Sequence, residues 1–294
     1  MVEVTGTLSE DDSAAPVATG GREGPPLVTR SHIEVALFRV AYVSILLGML
    51  LPLFIVVSTS FNPTGVLAFP PEGLSLRWYR EFLQSTQWLR AFVNSMVVAT
   101  GTAVISLVLG TAAAYGVRGL SARTTGLLIP LLVIPLLIPP IVIAITLVVY
   151  LSFLNLYQTY LGIMIAHSLW ASPLVFFIMQ AVFSRFDWSV RDAALDLGAT
   201  PTRAFREVVY PQVKSGILAA GVVAFIISLQ EFVMALFLSG YSTRTVPVLA
   251  WNSLRRLLDP LVSVVSTMLM VLIVLFLLPV VASMGISWLA RQLS

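Results

Sequence analysis

Residues 124–184 read TTGLLIPLLVIPLLIPPIVIAITLVVYLSFLNLYQTYLGIMIAHSLWASPLVFFIMQAVFS, a run of 61 residues without Asp, Glu, Lys or Arg. About 20 apolar residues in a helix cross the hydrocarbon core of a bilayer, so this run is too long for one crossing. A polar break at residues 155–159 (NLYQT) divides it into predicted spans at 125–154 and 160–183. Backbone groups in lipid must bond to one another, so we expect both spans to be helical.

Four further apolar stretches raise the predicted total to six transmembrane helices. They cover residues 40–57, 91–117, 215–240 and 262–289, and the third of them holds a single acid, Glu231. The sequence therefore predicts an all-α integral membrane fold.

The composition excludes several classes of protein. Hydrophobic residues make up 58% of the chain and charged residues 11%, whereas soluble domains carry about 25% charged residues. The net charge of +3 comes without a basic cluster, which argues against nucleic acid as a partner. The chain has no cysteine, and its two histidines, His32 and His167, are far apart, so no metal site is expected.

Signatures of enzymes are also missing from the sequence. The single lysine, Lys214, is not preceded by the glycine-rich loop that cradles the phosphates of ATP. No Gly-x-Ser-x-Gly nucleophile motif occurs either. We therefore expect a chain that is not an enzyme, binds no cofactor itself and takes any energy it needs from a partner or an ion gradient.

The ends of the chain and its basic residues predict its orientation. Residues 1–31 contain acidic and Gly-Pro-rich runs and are predicted to be a disordered tail ahead of a transmembrane domain at 32–294. This tail lacks the apolar core of a signal peptide, so the first span is expected to remain as an anchor in membrane lipid. Basic residues number 11 on one side and 6 on the other, which places both termini in the cytoplasm and the chain in the plasma or inner membrane.

Residues 184–214 form a strongly charged loop, with 9 charges in 31 residues. Ser189 is the predicted cap of a short helix, and Gly198 suits the left-handed position that follows a helix end. Thr200 and Pro201 predict the start of a second helix, which Pro211 is expected to end. The sequence thus predicts a helix–turn–helix surface on the cytoplasmic side.

The spacing within this loop resembles the EAA loop of ABC importer permeases. The family pattern is Glu-Ala-Ala-x3-Gly-x9-Ile-x-Leu-Pro, and this chain has Asp, Val and Tyr in place of Glu, Ile and Leu with every gap intact. The resemblance assigns ATPase coupling to Asp192, Ala193, Ala194, Gly198, Val208 and Pro211. An ordinary amphipathic hairpin at the membrane surface is the alternative, although it would not require this spacing.

This resemblance implies the fold of a type I ABC importer permease with six helices and a cytoplasmic coupling loop at residues 184–214. It also implies a second permease subunit, expected to form a heterodimer with this one. Two ATP-binding cassette ATPases, which hydrolyse the ATP, and an extracytoplasmic solute-binding protein complete the implied complex.

Shorter motifs look most like the permeases of polyamine importers. They occur at residues 60–62 (SFN), 76–79 (LRWY), 196–199 (DLGA), 228–232 (SLQEF) and 239–240 (SG). The pair Gln230-Glu231 departs from that subfamily, which often has two adjacent acids there. The resemblance therefore implies a polyamine-like or other small cationic solute, while an opine-like compound, an amino acid, iron or a sugar stays open.

Two features within the predicted spans are candidates for the pathway. A charged residue inside a span is costly, so Glu231 is expected to face water, a partner or a counter-ion, with Gln230 beside it in the translocation pathway. The alternative is a structural carboxylate at a contact between helices. The sequence places no acid beside His167, which is interpreted as a polar group hydrogen-bonded within the bundle. Four prolines in the third span (Pro130, Pro135, Pro139 and Pro140) could form a hinge.

Two rival functions remain open from the sequence. A secondary transporter or channel would need inverted repeats or several ionisable groups within the spans, and neither is evident. An intramembrane enzyme would need a nucleophile or a metal constellation.

Overall fold

The computed structural model describes residues 32–65, 68–256 and 259–293, and the predicted tail at 1–31 lies outside them. The described residues contain helices and no strands. The chain divides into two compact units, Met1–Leu51 and Pro52–Ser294. In the first unit, the described residues form most of helix α1 (His32–Thr59), and their large apolar side chains from Leu37 onward are exposed.

Eleven further helices follow α1 in the described part of the chain. They are α2 (Arg77–Gln84), α3 (Thr86–Gly116), α4 (Ala122–Leu137), α5 (Pro140–Phe153), α6 (Tyr160–Ser184), α7 (Trp188–Asp196), α8 (Pro201–Ala204), α9 (Tyr210–Gln230), α10 (Val233–Leu238), α11 (Val246–Arg256) and α12 (Leu261–Leu293).

The predicted membrane spans are present, with one of them broken. Five helical stretches are long and apolar enough to cross a membrane: Leu37–Thr59, Thr86–Gly119, Tyr160–Ser184, Pro201–Gln230 and Leu261–Ala282. The pair α4 and α5 makes a sixth span if it is counted as one, and it is bent by 96°. The all-helical membrane fold predicted from the charge-free runs is confirmed.

The break in the third span lies at two of its four prolines. Ile138 precedes a proline and is extended (φ −86°, ψ 131°), as is Pro139 (φ −53°, ψ 133°). A residue before proline is driven out of the helical region, and Pro140 can then start a new helix because the first position needs no N–H bond. The span predicted at 125–154 is therefore two helices joined at a sharp bend, and the bend lies at two of the prolines proposed as a hinge.

The helix after the charged loop is longer at its start than predicted. Pro211 does not end a separate helix, because a π-helical turn at Phe205–Val209 joins α8 to α9 in one helix over Pro201–Gln230. In this wide turn the Tyr210 N–H bonds to the carbonyl five residues back, on Phe205. The wider turn gives room for the proline ring, which would otherwise clash with a carbonyl of the preceding turn.

The same helix ends earlier than predicted. The fifth span was expected to continue to residue 240, but α9 stops at Gln230, and Glu231 is extended (φ −67°, ψ 118°) before α10 begins. Glu231 therefore lies at a break between two helices rather than inside one.

Helices α3, α6 and α9 pack on one another and form the centre of the bundle. Small residues permit the contact: a Cβ on Gly110 of α3 would lie 2.8 Å from the Ser172 carbonyl oxygen on α6. A Cβ on Gly221 of α9 would lie 2.9 Å from Leu107 on α3. Close packing through small residues is typical of membrane helices, which gain nothing from hydrophobic burial against lipid.

Candidate coupling surface and membrane-buried pair

The N-cap of helix α7 is an aspartate, Asp187, rather than the predicted serine, Ser189. Asp187 Oδ1 accepts hydrogen bonds from the Ser189 backbone N–H (3.0 Å) and from its hydroxyl (2.7 Å). These hydrogen bonds favour the charged carboxylate and hold the pKa of Asp187 below its usual value. Ser189 therefore supports the cap as a donor, and α7 starts one residue earlier than the expected cap, at Trp188.

The turn after α7 has the predicted left-handed glycine. Gly198 has φ +91°, and its N–H bonds to the Leu195 carbonyl at 2.9 Å, while the Ala199 N–H bonds to the Ala194 carbonyl at 3.0 Å. This pair of bonds is the Schellman pattern that closes a helix through a residue with positive φ. Thr200 then caps the next helix by accepting from the Arg203 N–H, as the sequence predicted.

The outer face of α7 is an exposed surface without a partner element in the described residues. Asp192, Ala193 and Asp196 are exposed, and Ala194 is half-buried. Leu197 has 90% of its surface exposed, which is unusual for a leucine that follows a helix directly. Leu197 lies in the DLGA stretch at 196–199 and was not predicted individually as a coupling residue, although an apolar residue just before the left-handed glycine was a usable signal. We call Asp192, Ala193, Asp196 and Leu197 the α7 surface.

The remaining two residues of the motif lie apart from this surface. Val208 is half-buried in the π-helical turn and packs against the apolar core, and Pro211 is exposed in the first turn of α9. The structure thus brings Asp192, Ala193, Ala194 and Gly198 together on α7 and its turn. Val208 and Pro211 instead belong to the helix that continues into the membrane span.

Trp188 anchors the start of α7 to the bundle. Its indole N–H donates to the Phe183 carbonyl at 2.9 Å, and its ring lies 4.7 Å from Phe186 and 5.8 Å from Tyr115 of α3. The guanidinium of Arg118 stacks over the Trp188 ring, 3.0 Å from its centre. Aromatic and cation–π contacts of this kind connect α7 directly to the ends of α3 and α6. This connection was not predictable from the sequence, because Arg118 and Trp188 are 70 positions apart.

A second cluster lies inside the bundle and contains the one acid expected within a span. His167 of α6 is 1% exposed, and its Nε2 lies 3.3 Å from Glu231 Oε2. Its Nδ1 shares a hydrogen bond of 2.8 Å with the hydroxyl of Ser228 on α9. The expectation that His167 is a hydrogen-bonded polar group in the bundle is confirmed, but it does have an acidic neighbour in space.

The carboxylate of Glu231 also holds the start of α10. Its two oxygens accept the backbone N–H groups of Met234 and Ala235, each at 3.1 Å. The side chain is 7% exposed, whereas the neighbouring Gln230 is exposed. A place for either residue in the translocation pathway stays a prediction. Among the described residues, no group of three or more His, Asp or Glu side chains could hold a metal ion.

Comparison with known proteins identifies the family. Residues 106–293 match the model of the binding-protein-dependent transport system inner membrane component. The putrescine transport system permease protein PotI of Escherichia coli strain K12 is 29% identical over 229 residues, which cover 74% of this chain and 80% of the relative. The trehalose transport system permease protein SugB of Mycobacterium tuberculosis strain CDC 1551 is 28% identical, covering 69% of this chain and 76% of the relative.

A further relative and a solved structure agree with this match. The spermidine/putrescine permease protein PotC of Haemophilus influenzae is 26% identical and covers 76% of this chain and 86% of the relative. The crystal structure of a bacterial ABC transporter that imports the acidic polysaccharide alginate has a subunit that matches with a TM-score of 0.70. That match covers 88% of this chain and 99% of the other, at 16% identity, and shows the fold alone.

These matches confirm the resemblance to ABC importer permeases and exclude the rival classes of secondary transporter and intramembrane enzyme. The chain belongs to the family of binding-protein-dependent transport system inner membrane components and is a membrane-spanning permease subunit of an ABC importer.

Proposed function

We propose that this permease couples to its ATPases through the α7 surface. The observation that carries the proposal is the 90% exposure of Leu197 at the end of a capped helix, beside the exposed Asp192, Ala193 and Asp196. An exposed apolar side chain on a rigid helix is suited to insertion into a groove of a partner protein. ATP is bound and hydrolysed by that partner, and this chain binds no cofactor.

The complete importer in this proposal has a second permease subunit as a heterodimeric partner, two ATP-binding cassette ATPases and an extracytoplasmic solute-binding protein. Both termini of this chain are cytoplasmic, so α7 faces the ATPases. The six residues assigned to coupling act in two groups. Asp192, Ala193, Ala194 and Gly198 shape the contact, while Val208 and Pro211 connect it to the span at Pro201–Gln230.

Co-purification tests this assignment. An affinity-tagged chain should retain the ATPase after solubilisation, and Leu197→Asp should release it while the two permease subunits stay together. Val190→Asp is a matched control, because Val190 is also an exposed apolar residue of α7 but lies outside the α7 surface. Retention of the ATPase by the Leu197 variant at the wild-type level would refute the docking assignment.

The solute we propose is a polyamine-like small cation. The relatives named for putrescine and for spermidine/putrescine transport, together with the short motifs around residues 60–62 and 228–232, support this choice. A sugar is the second candidate, because the trehalose permease matches at nearly the same identity. Uptake of labelled putrescine by cells that carry the complete importer, with unlabelled putrescine or trehalose as competitor, distinguishes the two.

A further inference from the structure

A small polar pocket lies at the end of α3 that is opposite to α7. Its volume is about 170 Å³, and its lining includes Arg90 and Gln87 of α3 together with Tyr241 and Arg244 of the loop before α11. Arg90 and Tyr115 are 25 residues apart on α3, which corresponds to about 38 Å along a helix. Tyr115 contacts Trp188 at the start of α7, so the pocket opens on the other side of the membrane from the α7 surface.

The pocket is built on a fixed frame. Asn94 of α3 is 2% exposed, and its amide donates to the carbonyl oxygens of Ser242 (2.9 Å) and Arg244 (2.8 Å). Its own oxygen accepts from the Tyr160 hydroxyl at 2.7 Å. One turn of helix separates Asn94 from Arg90, so the same stretch of α3 that carries one arginine holds the backbone of the other in place.

Neither arginine has an anionic partner within the described part of the chain. No ion pair seen among the described residues involves either arginine, and no acid lines the pocket. The Arg244 guanidinium lies 5.6 Å from the centre of the Tyr241 ring, which orients it without neutralising its charge. Two guanidinium groups that line one small pocket repel each other, and a planar anion between them would relieve that repulsion while accepting several N–H bonds.

The pocket has a buried floor and an exposed rim, which includes Arg90 and Tyr241. Ala91 and Leu249 form part of the lining, and both belong to a buried cluster that also contains Trp78 and Val264. The volume accommodates a carboxylate on a short side chain. Because Arg90 is exposed and Arg244 is partly exposed, an anionic group on a docking protein can reach both.

We propose that this pocket binds the carboxylate of an Asp or Glu side chain that the solute-binding protein presents when it docks. The proposal rests on the orientation given under the proposed function, in which this side of the membrane is extracytoplasmic. Electrostatic pairs at such an interface raise the rate of association and set the orientation of the partner.

The test uses the complete importer in nanodiscs of phosphatidylcholine and the solute-loaded binding protein of the same transport system. ATP hydrolysis is measured against the concentration of binding protein at low and at physiological salt. The double variant Arg90→Gln, Arg244→Gln should raise the half-maximal concentration by roughly tenfold at low salt and reduce its salt dependence. Arg90→Lys, Arg244→Lys keeps the charge without the forked donors and should lie between the double Gln variant and wild type.

Arg80→Gln is the matched control, because Arg80 is an exposed arginine of α2 that does not line the pocket. This variant should leave the half-maximal concentration unchanged. An unchanged value for the double Gln variant would overturn the proposal. It would also be overturned if the effect of that variant appeared only in nanodiscs containing phosphatidylglycerol, which would assign the pocket to a lipid phosphate.

A failure of the proposed function gives a different result. In that case the binding protein does not stimulate ATP hydrolysis even in the wild-type complex. Direct binding of the binding protein to the immobilised complex, measured by surface plasmon resonance, then tests the pocket without any ATPase. A tenfold weaker affinity of the double Gln variant supports the proposal, and an equal affinity overturns it.

Discussion

His167 and Glu231 meet inside the helical bundle, with Nε2 of the histidine 3.3 Å from Oε2 of the carboxylate. The contact joins the first half of α6 to the point where α9 ends and α10 begins. Because the same carboxylate accepts the N–H groups of Met234 and Ala235, its oxygens are already engaged by the protein. Backbone donors in a membrane have no water to bond to, so these acceptors stabilise the helix break itself.

This geometry predicts that removal of the Glu231 carboxylate mainly destabilises the protein. Glu231→Ala leaves the backbone N–H groups of Met234 and Ala235 without their acceptor and removes the contact with His167, at a cost of about 2 kcal/mol. Glu231→Gln keeps one carbonyl acceptor and should cost less. Thermal unfolding of the purified complex should show this order, and the preference for putrescine over a neutral competitor should stay unchanged after normalisation to assembled complex.

The opposite pattern would assign Glu231 to the pathway. If Glu231→Gln assembles normally and yet lowers cation uptake about tenfold, equivalent to about 1.4 kcal/mol of barrier, then the charge acts on the solute. Glu207→Gln is the control for loss of one carboxylate, because Glu207 is exposed and pairs with Arg203 outside the bundle core.

Coupling can be tested at Gly198, where a larger side chain would not clash with any neighbouring atom. No atom lies within 4 Å of a Cβ placed on it, so a substitution is penalised by its φ of +91° alone. A branched side chain in the left-handed region costs about 1–2 kcal/mol, so Gly198→Val should displace α7 and lower stimulation of ATP hydrolysis roughly tenfold. Gly198→Asn, which tolerates this conformation better, should show a smaller loss. Wild-type transport by the Val variant would contradict a coupling role for the turn.

Trp188 should separate docking from transmission. Trp188→Ala removes the contacts to Tyr115, Phe186 and Arg118 but leaves the α7 surface intact. We expect the ATPase to remain bound while binding-protein-dependent transport falls, because α7 is no longer fixed to α3 and α6. Trp188→Phe keeps most of the ring contacts and loses the indole hydrogen bond, so its defect should be milder. Equal loss of ATPase binding and transport would argue for a general folding role instead.

Helix packing at Gly110 can be tested against another glycine of the same chain. A Cβ at Gly110 would lie 2.8 Å from a backbone oxygen of α6, which cannot move aside as a flexible side chain could. Gly110→Val should therefore destabilise the bundle by about 1–3 kcal/mol. Gly126→Val is the control, since nothing lies within 4 Å of its Cβ. A thermal midpoint of the Gly110 variant equal to that of the control would contradict the close approach of α3 and α6.

The orientation of the chain can be tested with single cysteines, because the wild-type sequence has none. In intact cells an impermeant maleimide should label Ser75→Cys, which lies just before α2, and should not label Thr202→Cys at the exposed start of α8. Labelling of the Thr202 variant after permeabilisation controls for reactivity. The reverse pattern in intact cells would place both termini outside the cytoplasm.

Features determined by neighbouring residues were predictable from the sequence. The absence of charge over long runs indicated the spans, and the order Gly198, Thr200, Pro201 indicated a turn between two helices. Features that depend on distant residues were not predictable. His167 and Glu231 are 64 positions apart, and Trp188 and Arg118 are 70 positions apart. No local sequence pattern therefore predicts either contact.

The errors at prolines have a different origin. Proline has no backbone N–H to donate, and its effect depends on its position and on whether the surrounding helix can adapt. At Pro139 the next residue is also proline and the chain turns sharply, whereas before Pro211 the π-helical turn absorbs the ring and the helix continues. Sequence alone does not distinguish these outcomes, because both begin from the same local penalty.

Because the helix over Pro201–Gln230 is continuous, a tilt at one of its ends would displace the other end. Thirty residues of helix form a rod of about 45 Å, so a tilt of only about 10° at one end displaces the other by about 8 Å. One end of this rod adjoins the turn that carries Leu197, and the other ends directly at Glu231. The π-helical turn at Phe205–Val209 lies near the end beside Leu197. If the helix tilts as one rod, a small rotation imposed at that end would become, at Glu231, a movement as wide as a small solute.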